Sequence, residues 1–107
     1  MGTEKQSGRK SDIGVMDRDD HKIEKPKKFK VVFHNDDYTP MYFVVYLLKE
    51  IFHKPEDEAQ RLMLDVHEKG RGIAGVFSKE IADTKCNMCV KLSRTMGFPL
   101  MATAEPE

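Results

Sequence analysis

Apolar and polar positions between residues 29 and 104 follow two periods in turn, and each switch marks an element. Phe29-Lys30-Val31-Val32-Phe33 is short, β-branched and aromatic, with Pro26 before it and Asn35-Asp36-Asp37 after it. That pattern predicts a strand. Met41, Val44, Val45, Leu48 and Phe52 then recur at helical spacing. Thr39 is expected as the N-cap of this helix, with Pro40 at its first position, where the missing N–H costs nothing. A second helix starts at Pro55, with Glu56, Asp57 and Glu58 placed to complement its dipole. Its stripe is Ala59, Leu62, Met63 and Val66, and Gly70 ends it. Arg71 to Phe77 is a short strand containing Gly72 and Gly75. Ser78 can cap a third helix, whose apolar positions Ala82, Cys86, Cys89 and Met96 lead to Gly97. Pro99 to Ala104 is the last strand, expected at an edge because Pro opens it. The order β-α-α-β-α-β predicts an α+β fold, with the three helices on one face of a small three-stranded antiparallel sheet.

Composition adds a boundary. Residues 1–28 carry eight Lys/Arg, six Asp/Glu and no aromatic residue. Such a segment buries too little surface to offset about 1–2 kcal/mol of backbone entropy per ordered residue. It is expected to be a disordered N-terminal extension, leaving 29–107 as the domain. The charge balance of 18 Lys+Arg against 18 Asp+Glu removes the simplest argument for a nucleic-acid partner. The longest apolar run, Met41 to Leu48, is eight residues, well short of the roughly 20 that cross a membrane. No secretory signal is visible near Met1, and two Cys make no disulfide framework. These features point to a small cytoplasmic protein, and nothing in the sequence suggests more than a monomer.

Candidate chemistry concentrates at Asn35-Asp36-Asp37, between the first strand and first helix. Asn and Asp there can simply make a turn or a cap. A Mg²⁺ or Ca²⁺ site would need further oxygen ligands at defined spacing, which do not follow. Carboxylates beside an amide oxygen also suit an ammonium group, which has only donors to offer. His67 lies one turn after Met63 and next to Val66, bordering the apolar stripe. Alone it reads as a partly buried histidine satisfied by a carbonyl. Ser78 and Ser93 lack any nucleophile motif. Cys86-Asn87-Met88-Cys89 offers two ligands where zinc needs four, so these thiols are expected in the core. Met41 and Met63 flank the polar loop and His67, and unbranched thioethers adapt to more than one guest side chain.

The run Asn35-Asp36-Asp37-Tyr38-Thr39-Pro40-Met41 closely resembles the most recognisable segment of the ClpS family, bacterial adaptors that deliver N-degron substrates to the ClpAP protease. The likeness continues through Leu62-Met63-Leu64, Val66-His67, Gly70, Gly75-Val76-Phe77, Glu80 to Lys85 and Pro99-Leu100. The resemblance implies a β-α-α-β-α-β sandwich like the C-terminal domain of the ribosomal stalk protein. By position, it implies that Asn35, Asp36 and His67 hold the free α-amino group of the substrate. It implies a side-chain pocket of Asp37, Thr39, Met41, Val44, Met63, Val66 and Leu100, with Met41 excluding β-branched residues. Glu80, Thr84 and Lys85 correspond to a surface that docks on the N-terminal domain of a ClpA-type AAA+ unfoldase, with Tyr38 nearby. The N-terminal extension corresponds to the segment the unfoldase engages during hand-off. No cofactor and no catalysis are implied. The expected guests are chains that begin with Leu, Phe, Tyr or Trp.

The departures are local. Tyr42 stands where the family often has a Glu able to close a capping box with Thr39, which predicts a weaker helix start. Phe98 replaces a histidine common before Pro99-Leu100, and Cys86 and Cys89 stand at small apolar positions. A small hydrolase or metalloenzyme using Asp36, Asp37 and His67 lacks a nucleophile, a ligand set and a phosphate loop. A ribosome-associated protein sharing only the stalk fold would have no amine pocket.

Overall fold

A computed structural model describes residues 26–107. The chain runs β1 (Lys28–His34), α1 (Met41–Glu50), α2 (Glu56–Lys69), β2 (Arg71–Ser78), α3 (Lys79–Thr95) and β3 (Met101–Pro106). β1 is central in the order β2-β1-β3 and antiparallel to both neighbours. The α+β expectation holds, with three helices on a three-stranded sheet. Most of the expected extension lies outside the described residues, but its last residue, Lys28, belongs to β1, paired with Ser78.

Period-two alternation sends Phe29, Val31 and Phe33 toward the helices. Val31 and Phe33 are fully buried, and the Phe33 ring meets Phe52 edge-on at 5.6 Å. Against this floor α1 buries Phe43, Val44, Val45, Leu47 and Leu48, while Tyr42 and Tyr46 face outward. A helix this apolar has no clean stripe, so the spacing that singled out Met41 missed Phe43 and Leu47. Met41 is 43% exposed at the helix start.

Three local expectations require correction. Thr39 does not cap α1. Pro40 is the N-cap in extended backbone, no side chain bonds the first turn, and the Thr39 hydroxyl turns back to Asp36. Tyr42 is therefore the second helical residue, and no capping box with Thr39 could form there. In α3 the fourth buried position is Ser93 rather than Met96, which is exposed. The Ser93 hydroxyl donates to the Cys89 carbonyl at 2.7 Å, so the helix itself satisfies it. The last strand begins at Met101, two residues after Pro99, and it is an edge strand.

Other boundaries fall where backbone chemistry places them. Gly70 closes α2 at φ 88°, a left-handed conformation that an L side chain adopts only with strain. Ser78 accepts from the Ile81 N–H at 3.5 Å at the start of α3. In β2, Gly72 faces α2 so closely that a Cβ there would lie 2.8 Å from Cγ2 of Val66. Lys85 turns inward although it is charged. Its ammonium donates to the Ile51 carbonyl at 2.7 Å and lies over the Phe52 and Phe77 rings. It thereby closes the C-terminal end of α1 with a charge-assisted bond.

Cys86 and Cys89 are free and buried on the inner side of α3. Desolvation, with Cys86 beside it, pushes the Cys89 thiol up to about 12, and burial followed by the charge of Asp83 raises Cys86 as well. Thiolate is the reactive form. At pH 8 a thiol-specific reagent should therefore modify the native protein at least about tenfold more slowly than the urea-unfolded chain. Equal rates would show that these thiols are not sequestered in the core.

Candidate functional site

The six residues between β1 and α1 fold around a single carboxylate. Asp36 Oδ1 accepts from the backbone N–H of Tyr38 at 2.8 Å and of Thr39 at 2.7 Å, and Oδ2 accepts from the Thr39 hydroxyl at 2.8 Å. This is the local side-chain-to-backbone bonding that Asp favours in turns. Partial burial pushes the Asp36 carboxyl up. The bonds from Thr39 and Tyr38 and the field of Arg94 together outweigh that and leave it below its ordinary value. The group therefore stays ionised wherever the protein is folded near neutrality. A carboxylate has about four acceptor positions. The three internal bonds leave one, on Oδ2, for a donor arriving from outside.

The loop is also tied to α2. The Asn35 N–H donates to the Gly70 carbonyl at 2.9 Å, so the residue that opens the loop sits against the residue that ends the helix. This juxtaposition creates a cavity of about 460 Å³ between the start of α1 and the last two turns of α2. Asn35, Asp36, Asp37, Thr39 and His67 form its polar side. Met41, Val44, Met63 and Val66 form its apolar side, with Tyr38 and Pro40 completing the wall. Val44, Met63 and Val66 are buried, whereas Met41 is half exposed and carries an unbranched thioether able to fit more than one neighbour.

Nearly every residue expected at the amine and side-chain sites thus meets in one cavity. Leu100 is the exception: it is 1% exposed, inside the core, and does not line the cavity. His67 is exposed at the mouth rather than partly buried against a carbonyl. Glu80 and Thr84 are exposed on the first turns of α3, while Lys85 is half-buried and already bonded to Ile51. Tyr38 does not join them. It lines a groove with Arg94 at the far end of α3, about 20 Å along the helix from Glu80 at 1.5 Å per residue. Sequence reasoning missed Pro40 as a wall residue and Gly70 as the anchor for Asn35, the first because proline was read only as a helix starter.

Chemically, the cavity pairs a negatively charged, acceptor-rich rim with an adaptable apolar floor. It suits a guest with a compact cation beside a hydrocarbon or aromatic group. Among the described residues, no three His, Cys, Asp or Glu side chains gather closely enough to hold a metal ion. No helix among them is long and apolar enough to cross a membrane.

The chain is similar to known proteins over most of its length. The family model described as ATP-dependent Clp protease adaptor protein ClpS matches residues 24–103. The chain is 46% identical over 97 residues to the ATP-dependent Clp protease adapter protein ClpS of Desulfatibacillum aliphaticivorans, covering 90% of this chain and 93% of that relative. The protein of the same name from Bdellovibrio bacteriovorus is 49% identical over 86 residues, covering 80% and 75%. Among solved structures, Agrobacterium tumefaciens ClpS2 bound to L-phenylalaninamide superposes with a TM-score of 0.75 at 43% identity. The match spans 78% of this chain and all of that one.

Proposed function

The chain belongs to the ClpS family of ATP-dependent Clp protease adaptor proteins, and on that premise we propose that it captures polypeptides by a free N-terminal residue with a bulky hydrophobic side chain. The observation that carries this reading is the single cavity in which Asn35, Asp36 and His67 stand over Met41, Met63 and Val66. An α-ammonium presents three donors and a charge, whereas an internal peptide amide presents one donor and none. Acceptors at the rim therefore reject internal residues, which would leave them unpaired. Bonds to a charged group contribute about 1.5–3 kcal/mol each, and burying a Leu or Phe side chain adds a similar amount. After ordering costs, a net of roughly 8 kcal/mol corresponds to low-micromolar affinity. Phenylalaninamide, bound by the Agrobacterium relative, carries this combination of ammonium and benzyl group.

Delivery is the second half of the proposal. Glu80 and Thr84, exposed on α3, form the docking surface for the N-terminal domain of a ClpA-type unfoldase, with Lys85 bracing it from below. The segment ahead of Pro26 is the part offered to the unfoldase, and the adaptor acts as a cytoplasmic monomer without catalysis.

Titration with a fluorescent Leu-starting peptide and its N-acetylated twin tests the first half. The free peptide is expected to bind near micromolar concentration and the acetylated one at least about a hundredfold more weakly, as lost charge-assisted bonds require. Equal affinities would overturn the reading.

A further inference from the structure

Most of the apolar wall of the cavity has little left to cover. Val44, Met63 and Val66 are already buried, so a guest resting on them takes little further protein surface from water. Met41 is half exposed, and Tyr38 is 78% exposed, the highest value for a large hydrophobic side chain among the described residues. Tyr38 nonetheless lines the cavity. On its other side it borders a shallow groove with Arg94, Gly97, Phe98 and Pro99, so it stands as a partition between two hollows. Its backbone does not share the exposure of its ring. The Tyr38 N–H donates to Asp36 at 2.8 Å, and the next residue, Thr39, is held twice by the same carboxylate. An exposed ring thus projects from a fixed point on the cavity wall.

We propose that Tyr38 is a substrate-binding residue, its ring covering the first residue of the captured chain, and not part of the unfoldase-docking surface that the resemblance implies. The proposal rests on the terminal-residue reading above. A guest that fills the cavity touches its walls, and Tyr38 is the wall with most surface to lose to it. A tyrosine ring carries a large apolar area on only two side-chain torsions, so ordering it costs little for the area covered. Tyr is accordingly enriched among the side chains that dominate binding energies. The docking surface lies elsewhere. The groove that Tyr38 borders is at the Arg94 end of α3, about 20 Å along the helix from Glu80.

Nitration by tetranitromethane, followed at each tyrosine by mass spectrometry, tests this on the unaltered protein. The chain has three tyrosines, all exposed, and the other two, Tyr42 and Tyr46, line a different hollow beside Leu92 and Met96. They are the internal controls. A saturating Leu-starting peptide is expected to slow nitration of Tyr38 at least about fivefold and to leave Tyr42 and Tyr46 within about twofold of their free rates. Tyr38→Ala should weaken that peptide about fivefold to twentyfold, as loss of part of one aromatic contact requires. Its thermal midpoint should stay within about 2 °C of wild type, because the ring is exposed and the N–H that Asp36 holds remains. Affinity unchanged in Tyr38→Ala, or Tyr38 nitrated equally with and without peptide, would overturn the proposal. So would protection of Tyr38 by the N-terminal domain of a ClpA-type unfoldase and not by the peptide. If the free peptide still outbinds its acetylated twin in those events, the terminal-residue reading stands. If it does not, both fall.

Discussion

Asp36→Ala is expected to weaken binding of a Leu-starting peptide by at least about a hundredfold while leaving the domain folded. Two effects act together. The substitution removes the negative charge and the one acceptor position left for an ammonium, and charge-assisted bonds contribute about 1.5–3 kcal/mol each. It also releases the Tyr38 and Thr39 N–H groups and the Thr39 hydroxyl that Asp36 collects. The loop is accessible to water, so the loss of stability should stay near about 1 kcal/mol, as for a lost cap. Asp36→Asn separates the two effects: its amide oxygen can still accept from both N–H groups, but the charge is gone. It should fall between wild type and Ala. Unchanged affinity in Asp36→Ala, measured by the same titration, would count against any part for this carboxylate in binding. The depressed Asp36 pKa sets a companion pH effect. Its contribution to stability is complete above the ordinary carboxylate value of 3.8 and is lost as pH falls through the lower folded-state value. Loop order should therefore persist at pH 5 and fail only in stronger acid.

The largest effect on stability is expected from Phe33→Ala, a loss of about 3–5 kcal/mol read from urea denaturation. Phe33 is fully buried near the C-terminal end of β1 and holds Phe52 edge-on, where α1 gives way to the turn before α2. Removing its ring opens a void beneath α1 and α2, and the surrounding strands can close only part of it. Domains of this size carry only roughly 0.05–0.15 kcal/mol of stability per residue, so the variant should sit close to unfolding at 37 °C. A loss below about 1.5 kcal/mol would mean that this core repacks far more freely than its burial indicates.

How much of this could be read from the chain depends on what each residue type commits to locally. Gly70 and Ser78 were legible because a left-handed helix end and a helix cap are backbone chemistry, written in one residue. Thr39 was not, because it can either cap a helix or join a turn, and the outcome depends on Asp36, three residues earlier, competing for its hydroxyl. Met41 to Leu48 is apolar throughout, so periodicity could announce a helix but not choose its buried face. Ser93 and Lys85 were invisible for a different reason. Each is a polar residue whose burial is made tolerable by one carbonyl, Cys89 or Ile51, and hydrophobic patterning ranks residues by type rather than by partner. The side-chain cavity was legible at Val44, Met63 and Val66, which lie on the inward sides of α1 and α2, and it failed at Leu100. That residue lies just ahead of β3 with its side chain in the core, a placement that hydrophobic patterning does not distinguish from the wall of a cavity.

The bond from Asn35 to the Gly70 carbonyl reaches further than its 2.9 Å length suggests. It clamps the two banks of the binding cleft to one hinge point, so neither can drift without unlatching the other. The outline of the cavity is thereby set in the chain alone, and a chain end captured as proposed would meet a mould already formed. Under that proposal, guests would differ less in how fast they arrive than in how long each one stays.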